Sequence, residues 1–169
     1  QKPIVNDYEE HYEKLQALKK LKNNIGLFGR YCFPTAAKRT TPPFHGEIYS
    51  HIGDKTLSRV LIAAPRGTAK STAVSLFLPL HSAAFKMDTE DLFIVIISES
   101  QSQSVNFLSR IKYHLDHSEK FREVFGDYSH STAKRWTNSD IILANGTRIV
   151  AVGTGQRVRG FIEGDTRPN

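Results

Sequence analysis

The chain has 169 residues, 39% of them hydrophobic and 24% charged, with 11 Gly and 7 Pro, proportions that allow one domain with a sizeable core and exclude collagen-like and disordered chains. Its one cysteine, Cys32, cannot pair within the chain, and its longest apolar run, Leu92 to Ile97, is far below the ~20 residues that cross a bilayer, so a disulfide-stapled scaffold and a membrane span are also excluded. The net charge of +6 is unevenly spread: residues 30 to 70 carry seven basic and two acidic side chains, residues 71 to 133 five and eight, residues 134 to 169 six and three, so the two basic segments read either as phosphate-facing surface or as solvated faces. The chain opens at Gln1 with its only methionine at Met87, and reads as a piece of a longer, soluble protein from a reducing compartment.

In chain order, Tyr8, Tyr12, Leu15, Leu18 and Leu21 fall three or four apart, predicting an amphipathic helix with Asp7 as N-cap and lysines late. Residues 34 to 46, with Pro34, Pro42, Pro43 and Gly46, read as an irregular connection, followed by a short helix from Gly46 to Ile52. Leu57 to Ala63 is a β-leaning run leading into Pro65-Arg66-Gly67, and Lys70 to Leu78 suits a helix that Pro79 ends or kinks. Leu92 to Ile97 predicts a strand buried on both faces. Val105, Leu108, Ile111 and Leu115 mark a helical face between Ser102 and His117, and a shorter helical turn through Phe121, Val124 and Phe125 stops at Gly126. Ile141 to Leu143 and Ile149 to Val152 flank Asn145-Gly146, the signature of a two-residue hairpin turn, with Trp136 packing at the hairpin's edge. Strands alternating with helices predict an α/β fold, a mostly parallel sheet flanked by helices with one local antiparallel hairpin.

The segment Ala64-Pro65-Arg66-Gly67-Thr68-Ala69-Lys70-Ser71 has the spacing of the phosphate-binding P-loop, G-x-x-x-x-G-K-[S/T], with alanine at both glycine positions. The physical demands can still be met: small side chains, Gly67 for backbone freedom, N–H groups from Gly67 to Thr72 in one nest, and a helix N-terminus adding positive potential. In that reading Lys70 reaches the β and γ phosphates, Ser71 offers its hydroxyl to Mg²⁺, and Arg66 either senses the γ-phosphate or pairs with a carboxylate. The bland alternative is an ordinary strand-to-helix turn. Ile94 to Glu99 has the form of an acid-terminated strand, with Ser98 where a metal-holding carboxylate would stand, and Glu99 reads better as a loop or helix-start residue.

This set of motifs resembles the ATPase domain of the large terminase subunit, the motor that packages DNA into the heads of tailed bacteriophages and related viruses. The resemblance rests on the arginine-containing loop from Ala64 to Ser71, the Ile94-to-Ser100 strand with Gln101 to Ser104 starting the next helix, the helix ending near Phe125-Gly126, the Asn145-Gly146 hairpin, and Arg159-Gly160 followed by Arg167-Pro168. It covers roughly residues 45 to 169 and implies a P-loop NTPase fold, with residues 1 to 45 as a helical, adenine-side segment and residues 46 to 169 as an incomplete ATPase core. The Walker B strand and the C-terminal nuclease domain are implied to lie beyond Asn169. The resemblance implies nucleotide contacts by Pro65, Arg66, Gly67, Thr68, Ala69, Lys70, Ser71 and Thr72, Mg²⁺ on Ser71, and catalytic roles for Arg66, Lys70 and Arg159, with Arg157 as the alternative to Arg159 for acting on a neighbouring subunit's ATP. It further implies duplex DNA, the portal protein and the small terminase subunit as partners, a homo-oligomeric ring on the procapsid, and the cytoplasm of the infected bacterium as the location.

Two other functions fit the residues: a helicase-like P-loop translocase, and a noncatalytic nucleic-acid-binding module whose lysine turn is accidental. A P-loop kinase has neither a lid nor a substrate pocket in the sequence to support it. The seven histidines show no metal-ligand grouping, and His114 with His117 reads as helix surface.

Overall fold

A computed structural model describes residues 5–37 and 42–155 of the chain, with side chains from residue 11 onward. It begins with α1 (Val5–Lys22), whose last turn carries Lys19, Lys20 and Lys22 against the negative end of the helix dipole. Asp7 lies inside this helix instead of capping it. The expected apolar face is buried only at its end, since Leu21 is in the core while Tyr12 and Leu15 are exposed.

Immediately after it comes α2 (Ile25–Cys32), a helix inside the stretch that the sequence pattern left unassigned. Its signals are real but small. Asn24 caps it by accepting the Leu27 N–H at 2.8 Å, and Ile25, Phe28, Gly29 and Cys32 form an i, i+3, i+4, i+7 face that is buried. Two glycines hide the helix from propensity, and both are there for packing. A Cβ on Gly26 would stand 2.7 Å from the Tyr49 ring, and one on Gly29 would run into the Phe77 ring.

The next helices are α3 (Phe44–Gly53) and α4 (Lys70–Thr72), the latter running without a break through a π-helical turn (Ala73–Phe77) into α5 (Leu78–Ala84). Pro79 neither ends this rod nor stands in a normal helix interior. The π turn, with the Leu78 N–H on the Ala73 carbonyl, widens the backbone by one residue just before the proline and relieves the clash its ring would make with the preceding turn. The remaining elements are β1 (Phe93–Ser98), α6 (Gln101–His117), α7 (Glu119–Phe125), β2 (Arg135–Trp136), β3 (Asp140–Ile142) and β4 (Arg148–Gly153).

The four strands form one mixed sheet in the order β1-β4-β3-β2. Strand β1 runs parallel to β4, with Phe93 opposite Arg148 and Ser98 opposite Gly153, while β3 is antiparallel to both β4 and β2. The fold is therefore α/β, but its sheet is not mostly parallel. The expected strand at Leu57 to Ala63 is absent from it: Leu57 and Val60 are exposed and Leu61 is 95% exposed. Apolar, β-branched composition expresses a preference, whereas a strand needs a ladder partner for its N–H and C=O groups, and among the described residues none pairs with this segment. The hairpin also differs from expectation. Only Gly146 of the pair has a positive φ, +83°, and the bonds Gly146 N–H to Leu143 O and Leu143 N–H to Thr147 O close a three-residue loop. Asn145 instead spends its side chain on the Thr147 N–H and the Ala83 carbonyl, tying the turn to the end of α5.

Alternation along β4 sends Ile149 and Ala151 into the main core and Val150 and Val152, with Phe93, into a smaller cluster on the opposite face. In the main core, Phe28 is fully buried and makes ring contacts with Phe33, Phe85, Phe121 and Phe125 at centroid distances of 5.7 to 6.3 Å. The α6 face is as the sequence predicts, with Leu108, Ile111 and Leu115 buried and Val105 half-buried. Ser118 joins α6 to α7, accepting the Phe121 N–H and donating its hydroxyl to the Cys32 carbonyl at 2.5 Å.

Candidate phosphate-binding loop

The chain reaches Pro65 in irregular form, turns at Gly67 with φ +82°, turns again at Ala69 with φ +55°, and enters α4 at Lys70. Ala69 is the only non-glycine with positive φ among the described residues. An L-residue in the left-handed region costs about 1–2 kcal/mol, so its neighbours must hold it there. On its C-terminal side the first helical turn does so: the N–H groups of Thr72 and Ala73 both bond the Ala69 carbonyl, at 2.9 and 3.1 Å. On its N-terminal side the Thr68 carbonyl accepts from the Nε2–H of His45, buried in α3, at 2.6 Å.

Inside the loop, the Pro65 carbonyl accepts two side-chain donors, the Thr68 hydroxyl at 2.8 Å and the Lys70 ammonium at 3.0 Å. Lys70 is thus folded back on its own loop. Arg66 and Ser71 are exposed, and neither Arg66 nor Lys70 forms an ion pair among the described residues. The main-chain N–H groups of Gly67, Ala69, Lys70 and Ser71 likewise find no acceptor among the described residues, while the Pro65-to-Thr68 turn engages that of Thr68. A cation on α6 approaches as well, since the Arg110 guanidinium donates to the Thr72 hydroxyl at 3.4 Å. Two side chains, two positive-φ residues and a helix start together make an array of donors with no carboxylate paired to it among the described residues, an arrangement suited to a polyanion.

Of the sequence-predicted site residues, Pro65, Arg66, Gly67, Thr68, Ala69, Lys70, Ser71 and Thr72 lie on this one turn, while Arg157 and Arg159 lie outside the described residues. Glu99 follows β1 and is exposed; its carbonyl accepts the Thr154 hydroxyl at 3.1 Å. The neighbouring Gln101 clasps the end of β4, donating to Ala151 O and accepting from the Gly153 N–H. Gly153 permits this: a Cβ there would be 2.7 Å from the Gln101 nitrogen. His45 and Arg110 were not singled out by sequence, because their links to the loop span 23 and 38 residues and leave no local pattern.

No group of three or more His, Cys, Asp or Glu side chains able to hold a metal occurs among the described residues. The Mg²⁺ of a nucleotide is held largely by phosphates and water, so the single Ser71 hydroxyl at the start of α4 fits a phosphate-borne ion and not a resident metal centre. Among the described residues no helix is long and apolar enough to cross a membrane. A cavity of about 1000 Å³ lies away from the loop, between α2, α3, α5 and residues 86–92, with Tyr49, Leu78 and Phe85 in its wall and Lys22, Lys55 and Glu90 among its polar lining. No family model matches the chain, and no curated protein matches it.

Proposed function

We propose that the turn from Pro65 to Thr72 binds the triphosphate of ATP, and that the chain is the ATP-binding part of a DNA-packaging motor of the large-terminase kind. The observation that carries the first half is the pair of positive-φ residues, Gly67 and Ala69, leading into a helix start beside Lys70 and Arg66, with the main-chain N–H groups of Gly67, Ala69, Lys70 and Ser71 lacking an acceptor among the described residues. Such a cradle meets phosphate oxygens with fixed donors that need no rearrangement, and the two side chains add mobile positive charge. In this reading Lys70 leaves the Pro65 carbonyl for the β and γ phosphates, Arg66 meets the γ-phosphate, and Thr72, with Arg110 on its hydroxyl, borders the site on the helix side. Bound Mg²⁺ would offset phosphate charge and take the Ser71 hydroxyl as a ligand.

The motor half rests on the ordered resemblance across residues 45 to 169 and on the basic balance of the chain, which favours sequence-independent grip on DNA phosphates. Calorimetric titration with a nonhydrolysable ATP analogue and Mg²⁺ tests the site directly. Lys70→Ala is expected to weaken binding at least about ten-fold, the loss of a charge-assisted phosphate contact. Equal affinity in the two proteins, or none in either, would remove the nucleotide reading and leave a nucleic-acid-binding module as the better account of the basic charge.

A further inference from the structure

We infer that His45 is a positioning residue for the phosphate cradle, a clamp from α3 that keeps Ala69 left-handed so that the loop stands ready before any ligand arrives. The inference rests on the phosphate-binding reading of the loop and extends it to a residue outside the motif.

The Ala69 conformation is unfavourable for an alanine and lies between two peptide groups. The one that follows is fixed by the first turn of α4, through the bonds to Ala69 O. The one that precedes has one anchor among the described residues, the His45 ring on Thr68 O. Since a carbonyl only accepts, Nε2 must carry the proton, which sets the tautomer of the neutral ring. In a trans peptide C=O and N–H point in opposite directions, so holding Thr68 O toward α3 turns the Ala69 N–H away from it. Were the anchor lost, that peptide could rotate, Ala69 could relax out of the left-handed region, and one cradle donor would be re-aimed.

The ring itself is well fixed. His45 is buried, packs edge-on against Phe44 at 4.6 Å and Tyr49 at 6.0 Å between ring centroids, and its main-chain N–H bonds Pro42 O. Tyr49 in turn sits over Gly26 of α2, so the clamp is backed by the core and not by another surface loop.

A double-mutant cycle on the whole chain tests this, with affinity for the nonhydrolysable ATP analogue plus Mg²⁺ as the readout and thermal midpoint as the control. His45→Phe keeps an aromatic ring between Phe44 and Tyr49 but has no donor, and is expected to weaken binding about ten-fold. His45→Gln retains an N–H donor and should recover most of the loss. In an Ala69→Gly background, where the left-handed conformation is free of strain, the His45→Phe effect should shrink below about three-fold. A merely structural role would leave the loss the same in both backgrounds, and that result overturns the clamp. So does wild-type affinity in His45→Phe while Lys70→Ala still abolishes binding, an outcome that leaves the phosphate reading standing. Failure of the wild-type chain to bind removes both. If His45→Phe does not fold, His45→Asn, a donor too short to span the gap, replaces it: weakened binding upholds the clamp and unchanged binding overturns it.

Discussion

A single residue can be judged by what its surroundings do to it, and Cys32 shows this most plainly. It is 1% exposed, faces the aromatic core, and burial pushes its thiol up to about 12, where almost none is thiolate at neutral pH. Cys32 is therefore expected to resist a thiol-directed reagent at pH 8 in the native protein and to react at once in denaturant. Labelling at equal rates in both states would contradict its place in the core. At the same scale, the loop shows what one-dimensional reading can and cannot find. Spacing alone locates Lys70 at the entry to a helix and Gly67 in the turn, because both demands are local. It does not disclose that Ala69 is the strained residue or that His45 holds it, because those facts arise where separate parts of the chain meet.

Helices here are placed by fit more than by propensity. Gly29, the residue that makes α2 look unhelical, is what lets the helix approach Phe77 of the π-helical turn. Gly29→Ala should therefore destabilise by about 1–3 kcal/mol through overpacking, against the gain of about 1 kcal/mol that the same change gives a free helix. A raised urea midpoint would mean that the Phe77 ring moves aside freely. Two elements are legible, α6 by its apolar face and β1 by its continuous apolar run, but β1 is not buried on both faces as that run predicts: among the described residues it ends the sheet, and Ile97 is 52% exposed. Leu57 to Ala63 was misread for the opposite reason, since its run looks like a strand but has no ladder among the described residues. The continuation of the helix past Pro79 was equally hidden, because a π turn has no composition of its own.

Over the whole molecule, two histidines tie stability to pH. His81 of α5 donates from Nε2 to the carbonyls of Leu21 and Lys22, closing α1 onto the core, and its ring also packs on Phe28. Burial, helped by Lys55 and Lys22, lowers its proton affinity and outweighs the two carbonyl bonds, which raise it; burial with Arg110 and His117 does the same for His114 of α6, which is buried and not the surface residue its spacing suggests. A histidine whose folded value lies below its unfolded one, about 6.5, leaves the unfolded chain holding more protons, so stability is complete above that value and falls as pH drops through and below it. Urea midpoints should accordingly decline between pH 7.5 and pH 5.5, and the decline should be smaller in His81→Gln. A flat profile over that range would show that these rings protonate without cost in the folded state. The α/β class and the local hairpin were legible from the order of strands and helices, whereas the balance of parallel and antiparallel pairs was not, since among the described residues the expected strand at Leu57 to Ala63 joins no ladder and the two-residue β2 adds a second antiparallel pair.

The Lys70 ammonium already has a partner within its own loop, the Pro65 carbonyl. In the proposed phosphate-binding role, any incoming anion competes with that oxygen, and wins only by offering the lysine more than a neutral dipole does. Chloride, with one charge and no second oxygen to reach the N–H groups beyond, gains little from the exchange. A di- or triphosphate takes the lysine and those N–H groups together. On that proposal the loop is a filter set by a built-in rival, discounting small anions and passing those that carry several oxygens at once.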